Sequence, residues 1–388
     1  MSIMNIEKFN GKTGKVVKAD NAVFYYFEPK KLPLQIEYDE ELIKLLADAS
    51  SSIGKLAIAG QRLENPHLLI TPYLKKEAVL SSKIEGTKTT MQEVFINEPG
   101  DKSNDLDLVE VFNYIRSLQY GLEKIKKEEI SEDLIKEMHV LLMQGVRGQD
   151  KDLGNYKTDY NYIGGYGDDI VNATFVPASP EITPDLMKNL FEYLNSKNNN
   201  HELIKSALSH YQFETIHPFR DGNGRLGRVL IILFLCKSEL LVQPLLYMSD
   251  YFERNRDEYV LLLQDAREKG SITKWLKFFL TGIKYESDES LKILNELEDY
   301  RYKIRKKLMD NSQSSNVVKI FENLFSNPYV SLRGVRDILD LPPSTADRNI
   351  KILIENGVLE VLPTVTKGKT KAGRVYVAKE IVRILKIE

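Results

Sequence analysis

The sequence predicts a mainly α-helical protein: a helical core carrying a short β-hairpin, followed by a small C-terminal unit of helices and strands. Three observations carry this. Apolar residues recur at spacings of three and four over most of the first 285 positions, a glycine- and tyrosine-rich island at 145 to 183 breaks that rhythm, and the last 75 or so residues change style.

Taken in order, residues 1 to about 35 hold NAVFYYFEP, broken by Pro29 and Pro33, which reads as an arm or edge strand. EYDEELIKLLADASSSIGKLAIAG predicts two helices ahead of Pro66, and PYLKKEAVLSSKIEGTKTT a third from about Pro72. NEPGDKSNDLD is a loop composition, expected to be exposed. Helical patterns resume in DLVEVFNYIRSLQYGLEKI and in SEDLIKEMHVLLMQGV, the latter with Ser131 as N-cap. The island GVRGQDKDLGNYKTDYNYIGGYGDDIVNATFVPASPEIT predicts a loop with a short hairpin.

Helices continue to about residue 285. ESLKILNELEDYRYKIRKKLMDN then reads as a separate charged linker helix, whose Leu291, Leu294, Leu297, Ile304 and Leu308 stripe suits a solvated connector or a dimer contact. VVKIFENLF, VSLRGVRDILD, PSTADRNIKILIENGVL and the hairpin-like VLPTVTKGKTKAGRVYV give three helices and two strands, the order of a winged helix-turn-helix with residues 344 to 356 as recognition helix. The expected division is an N-terminal arm and helices over 1–100, a core over 101–285, a linker helix over 286–315 and the winged unit over 316–388.

With 54 basic against 56 acidic residues, net charge −2, no global field points to nucleic acid or an anionic membrane. The N-terminus lacks the apolar centre of a signal peptide, and the apolar run VLIILFLC stops at Lys237 after eight residues, too few to span a bilayer. The single cysteine, Cys236, lies in that run and reads as a buried structural thiol. A chain without an internal disulfide and without a membrane span is expected in the cytoplasm.

Against this background residues 217 to 228, HPFRDGNGRLGR, are out of place between two apolar helical stretches. Glycines at 222, 224 and 227 leave little side-chain bulk where a helix begins near Arg225, and uncovered N–H groups at a helix start form an anion nest. Arg225 and Arg228, three apart, are expected on one face toward that anion. Asp221 beside the nest would repel a phosphate unless a divalent cation lay between them, which suits Mg²⁺. His217, one turn ahead, is placed to take a proton from an attacking hydroxyl.

HPFRDGNGR followed by Arg228 resembles the signature loop of Fic-domain proteins, in the pattern His-Pro-Phe-x-Asp-Gly-Asn-Gly-Arg with a second arginine three residues on. The resemblance implies a protein adenylyltransferase that moves AMP from ATP, with Mg²⁺, onto a hydroxyl side chain of a target protein. It implies His217 as general base, Asp221 as metal ligand, Gly222, Asn223 and Gly224 as the phosphate cradle, and Arg225 and Arg228 on the β- and γ-phosphates. Leu226 and Gly227 complete the ATP-binding stretch. In-line attack at phosphorus needs positioning and charge neutralisation more than covalent chemistry from the protein.

NPHLLITPYLKKEAVLSSKIEGT looks like the N-terminal segment of many Fic proteins, LLMQGVRG and LGNYKTDYNYIGG like the run into the Fic flap, and ATFVPASP like its descending strand. Tyr160 and Tyr162 stand where glutamine and tryptophan are common. SSKIEG resembles the inhibitory motif, as Ser81, Glu85 and Gly86. The resemblance implies that Glu85 pairs with Arg228 and keeps it from the γ-phosphate. The flap could align an extended target by main-chain hydrogen bonds. Ile170, Val171, Asn172 and Ala173 would stand beside the nucleotide, and Tyr259 resembles a residue packing near the base, though its helical spacing from Leu262 and Leu263 equally suits a core position. His139 and His210 have no metal-ligand partners at suitable spacing and read as packed histidines.

Two other readings stay open. The same loop could transfer phosphate, as in a Fic branch with Ala and Lys at the positions of Gly222 and Gly224, or remove AMP with Glu85 activating water. Alternatively the chain is a DNA-binding regulator: residues 317 to 388 hold twelve Lys/Arg against eight Asp/Glu, with Lys367, Lys369, Lys371 and Arg374 in the wing. Besides a target protein, self-modification, DNA at the C-terminal unit and a homodimer are the partners to consider.

Overall fold

The computed structural model describes residues 4–63, 66–97, 105–147, 152–164, 169–197, 200–311, 313–340, 342–362 and 374–387. An N-terminal hairpin, β1 (Gly14–Lys18) against β2 (Tyr25–Pro29), precedes the helices, with Gly14 opposite Pro29. The expected edge strand thus has its partner in GKVVK, where Val16 and Val17 supply the β-branched positions.

Residues 40 to 62 form one helix, α1 (Glu40–Arg62), where two were expected. Ser50 bonds its hydroxyl back to the Leu46 carbonyl at 2.7 Å, so the serine run is absorbed. The buried face Leu42, Ala49, Ile53, Leu56, Gly60 continues across it. The next helix, α2 (Pro66–Ile84), begins a turn and a half earlier than expected and runs through Pro72. Burial of Tyr73, Leu74 and Ala78 just beyond compensates the one backbone bond that Pro72 cannot make.

The short helix α3 (Met91–Ile96) is closed by a Thr90/Glu93 capping box, and α4 (Leu106–Lys124) and α5 (Glu132–Met143) follow. Ser131 caps α5 as expected, accepting from the Leu134 N–H at 3.3 Å. The NEPGDKSNDLD loop falls mostly on 98–104, outside the described residues. Between α5 and α6 (Thr183–Asn195) the non-helical island reduces to a single antiparallel bridge, Ile163 to Phe175, around the undescribed 165–168.

Helices α7 (Glu202–Ile216) and α8 (Asn223–Lys237) are buried on almost every side, which is why their apolar residues show little one-sidedness. Around them stand α9 (Ser249–Arg254), α10 (Arg256–Lys269) and α11 (Ile272–Asp310).

No break occurs near 285: α11 is one helix of 39 residues, in place of a core helix and a separate linker. Gly282 does not terminate it, because a Cβ there would meet Met248 and Tyr251 at 2.6 Å; the glycine admits a close helix contact. The Leu294, Leu297, Ile304, Leu308 stripe is buried within the chain, correcting the expectation of a solvated or dimer-forming face. It packs against the C-terminal unit of α12 (Ser315–Asn323), β3 (Tyr329–Ser331), α13 (Leu332–Leu339), α14 (Pro343–Glu355), β4 (Glu360–Val361), β5 (Val375–Val377) and α15 (Lys379–Leu385), through α12 and α15. The three strands pair antiparallel in the order β3-β5-β4. Lys367, Lys369 and Lys371 lie outside the described residues; Arg374 is exposed.

Candidate functional site

The site is the turn between α7 and α8. His217 closes α7 with left-handed backbone, φ +51°, its N–H on the Phe213 carbonyl at 2.9 Å. A non-glycine residue held there is strained unless its surroundings fix it. Asn223 supplies part of that fixing: its Oδ1 accepts from the Phe219 N–H and its Nδ2 donates to the Phe219 carbonyl, both at 2.8 Å. Gly222, at φ +76°, makes the turn into α8 under the Met143 sulfur, which a Cβ would meet at 2.9 Å. The Asp221 Oδ1 accepts from the Gly222 N–H at 2.7 Å.

Helix α8 therefore starts at Asn223, two residues ahead of the expected position, and its first-turn N–H groups have no carbonyl partner within the helix. What stands over that start is Glu85. A side chain on Gly224 would collide with the Glu85 Oε1, so the carboxylate lies against the glycine of the nest.

Arg228, 2% exposed, is held by the end of α2 and the turn after it at three acceptor atoms. Its Nε donates to the Ser81 Oγ at 2.7 Å, and one terminal nitrogen donates to the Ser81 carbonyl at 2.9 Å and to the Glu85 Oε1 at 2.7 Å. Burial alone would lower its pKa, but Glu85, with Tyr259 and Glu214, holds it above the ordinary arginine range. Glu85 lies just past the last residue of α2, its N–H on the Ser82 carbonyl at 3.0 Å, and Gly86 turns the chain away at φ +100°. Ser81 and Glu85 thus reach the same arginine although only Ser81 is helical.

Arg225 does not share the Arg228 partners, and lies 3.9 Å from the Asp221 carboxylate beside the nest. It is buried against Glu110 of α4 at 3.1 Å and the Met143 sulfur at 3.4 Å. The 60° between positions three apart is enough for α4 and α2 each to claim one guanidinium. Glu110 also binds Arg147 at 3.1 Å.

One turn back along α2, buried Glu77 accepts from the Tyr114 hydroxyl at 2.8 Å and the Ser249 hydroxyl at 2.6 Å, joining α2 to α4 and α9. Burial raises its pKa, opposed by the Ser249 and Tyr114 hydrogen bonds and by the charge of Arg228. Glu77→Ala is expected to cost about 2–4 kcal/mol in urea unfolding, because two hydroxyls lose their acceptor in a dry site.

The His217 ring is part-buried and its Nδ1 has no hydrogen-bond partner among the described residues. Withdrawal from water, then the cations Lys157 and Arg267, lower its pKa to about 3, so the imidazole is neutral near pH 7. Glu214, one turn back on α7, lies over Gly227 with its Oε1 unpartnered among the described residues. Burial pushes it up to about 7, against Arg228.

Tyr259 belongs to an aromatic cluster. It stacks on Phe252 at 4.4 Å, and its hydroxyl lies 2.9 Å from the His210 Nε2. The core packing expected for it is therefore present, with Tyr259 buried. His210 also meets the Gly227 carbonyl at 3.0 Å, and His139 accepts from the Gly154 N–H at 2.9 Å and stacks on Phe219. Burial lowers both, His210 to about 3 and His139 to about 4. Ile170 is half-buried against the cluster around Phe27 and Phe175, Val171 is exposed, Asn172 is tied to Asp169 at 2.9 Å, and Ala173 is buried. Ala173 packs with Met4, Phe27, Phe175 and Val176, so the flap base rests on the N-terminal arm. Tyr160 packs on Phe24 and Tyr26, which accommodates its departure from the common pattern.

Lys157, Asn161, Glu110, Glu214 and Glu77 were not legible as site residues. Lys157 and Asn161 stand in an aperiodic loop, and the glutamates sit at ordinary helical positions.

Asp221, 38% exposed, is the carboxylate beside the nest. One carboxylate next to a phosphate site suits a cation that takes its remaining ligands from phosphate and water, so the residues fit Mg²⁺.

The site is thus a histidine-led glycine loop at the start of a buried helix, with two buried arginines, Arg225 and Arg228, behind it. Family models match in agreement: the Fic/DOC family N-terminal model over residues 43–123 and the Fic/DOC family model over 129–235. Residues 43–235 thus carry a Fic/DOC N-terminal segment followed by a Fic domain. The protein is 28% identical over 323 residues to an Aquifex aeolicus chain named probable protein adenylyltransferase, covering 81% of this chain and 89% of that one. A Caenorhabditis elegans protein adenylyltransferase is 28% identical over 142 residues, 36% of this chain and 26% of that one. A solved Fic family protein of Desulfovibrio desulfuricans shares the fold at TM-score 0.53 and 20% identity, over 88% of this chain and 97% of the other. Among the described residues no helix is long and apolar enough to cross a membrane.

Proposed function

We propose that this protein transfers AMP from ATP to a hydroxyl side chain of a protein target, and that Glu85 restrains it by occupying Arg228. The observation that carries the reading is the Glu85 carboxylate lodged between Arg228, at 2.7 Å, and Gly224 at the start of α8, where a phosphate would be received. The names of the relatives in Aquifex and Caenorhabditis support the reaction class.

In this reading the target hydroxyl attacks the α-phosphorus, its proton passes to neutral His217, and the bond to the bridging β-phosphate oxygen breaks to release pyrophosphate. The first-turn N–H groups of α8 and Arg228, once free of Glu85, hold the leaving phosphates, and Arg225 braces the loop from Glu110. Asp221 would hold Mg²⁺, which supplies charge neutralisation on the phosphates when bound. The flap, resting on the N-terminal arm, presents the target segment.

Label from α-labelled ATP, retained on protein and absent when γ-labelled ATP is used, tests the reaction against phosphate transfer. A band at the protein's own mass would report self-modification. Loss of label from a pre-modified target, faster with Glu85 present, would favour AMP removal instead.

A second reading concerns the C-terminal unit and is compatible with the first. We propose that it contacts DNA through α14, whose Arg348 and Lys351 are exposed beside exposed Arg333 and Arg336 of α13. The full chain is expected to retard duplex DNA at low salt and release it as salt rises. No retardation at low salt would remove this reading.

A further inference from the structure

At the end of α7 and in the turn after it, the four successive carbonyls of residues 216 to 219 lie outside the helical ladder and need donors from elsewhere. Two residues of the preceding loop supply all four. The Lys157 N–H donates to Pro218 O at 2.8 Å and its Nζ to Ile216 O at 3.0 Å. The Asn161 Nδ2 donates to His217 O at 3.0 Å and to Phe219 O at 2.8 Å. The two are also bonded to each other, Nζ to Oδ1 at 2.8 Å.

Lys157 is 3% exposed, and among the described residues its side chain bonds only neutral oxygens. An ammonium buried without a carboxylate is costly, and a helix C-terminus is one of the few settings that favours it. A polar residue would have served a purely structural end at lower cost.

We infer that Lys157 and Asn161 are positioning residues: together they fix the left-handed turn that aims His217, and Lys157 sets a buried positive charge against that turn. This rests on His217 being the base of the proposed reaction. Withdrawal from water acts most strongly on the His217 ring, followed by Lys157 from the loop and Arg267 from α10, with the Glu214 carbonyl of α7 opposing them. Burial lowers Lys157 itself to about 7, so it becomes more fully cationic as pH falls into the range where an ordinary histidine takes up a proton.

The test uses the full chain with Lys157→Met and Asn161→Ala, each checked for fold by circular dichroism, and reads two quantities. The first, independent of activity, is the His217 titration by NMR. Removing a neighbouring cation favours the protonated ring, so Lys157→Met is expected to raise the His217 pKa by more than one pH unit. The second is AMP transfer in the Glu85→Gly background. Both variants should lose on the order of a hundredfold in kcat, with KM for ATP changed less than threefold. The acid limb of the rate profile should move to higher pH in Lys157→Met alone.

Alkylating unfolded Lys157→Cys protein with 2-bromoethylamine, which rebuilds a near-lysine side chain, and then refolding it should restore kcat, with the unsubstituted chain treated alike as control for Cys236. If Lys157→Met does not fold, this rescue and Asn161→Ala decide the question. An unchanged His217 titration in folded Lys157→Met, or a loss confined to KM, overturns the inference. If Glu85→Gly protein transfers no AMP at all, the proposed reaction fails, while the titration still decides whether Lys157 governs His217.

Discussion

In Glu85→Gly protein, incorporation of α-labelled AMP into target is expected to rise about ten- to a hundredfold over the unsubstituted chain. The magnitude follows from the contact removed. A charge-assisted hydrogen bond is worth about 1.5–3 kcal/mol, and nucleotide must displace this one before its own phosphate can use the guanidinium. The gain exceeds a simple affinity change, because the carboxylate also lies against Gly224 and repels any anion entering the nest. Ser81 keeps two of its contacts to Arg228 in the variant, so the arginine stays ordered and in place. The melting temperature should fall only a few degrees, since the Glu85 side chain is 38% exposed and its loss leaves no dry cavity. Rates of label incorporation at fixed ATP, with melting curves alongside, check both parts.

His217→Ala in the Glu85→Gly background is expected to lose about 10²–10⁴-fold in kcat, the range for a general base, with nucleotide binding retained. The fold should survive: the turn is held by Asn223, Asn161 and Lys157 through backbone groups that alanine keeps. Alanine pays the same left-handed penalty at φ +51° that histidine already pays. The pH dependence has a definite sign. His217 is depressed from 6.5 to about 3, so the unfolded chain binds its proton more readily than the folded one between those values. Its contribution to stability is present above pH 6.5 and is lost as pH falls toward 3, and transfer should not lose its base until pH is well below 6. An acid limb with an apparent pKa near 6.5 would show a base exposed to water, contrary to the site.

The candidate loop was legible because its chemistry is local: twelve consecutive residues carry the glycine turn, Arg225 and Arg228, the carboxylate and the histidine. The grip of Ser81 and Glu85 on Arg228 was reached through resemblance; helical spacing alone could place Ser81 and Glu85 on one face but not name what that face meets. The divergence of Arg225 toward Glu110 was out of reach, since Glu110 is 115 positions away and stands at an ordinary site of an amphipathic helix. Helix ends misled where a nominal breaker was used for packing. Pro72 and Gly282 both sit inside helices, one compensated by burial around it and the other admitting Met248 and Tyr251. The leucine stripe of α11 was visible, but its partner lay in the C-terminal unit, and an apolar face does not say what covers it.

The central claim is that Glu85 and a phosphate of ATP compete for one guanidinium, and the most direct measurement is the AMP-transfer rate of the Glu85→Gly/Arg228→Ala double variant at fixed ATP. If the release acts through Arg228, the gain seen in Glu85→Gly disappears and the rate returns to, or below, that of the unsubstituted chain. A double variant that keeps the elevated rate of Glu85→Gly would contradict the account.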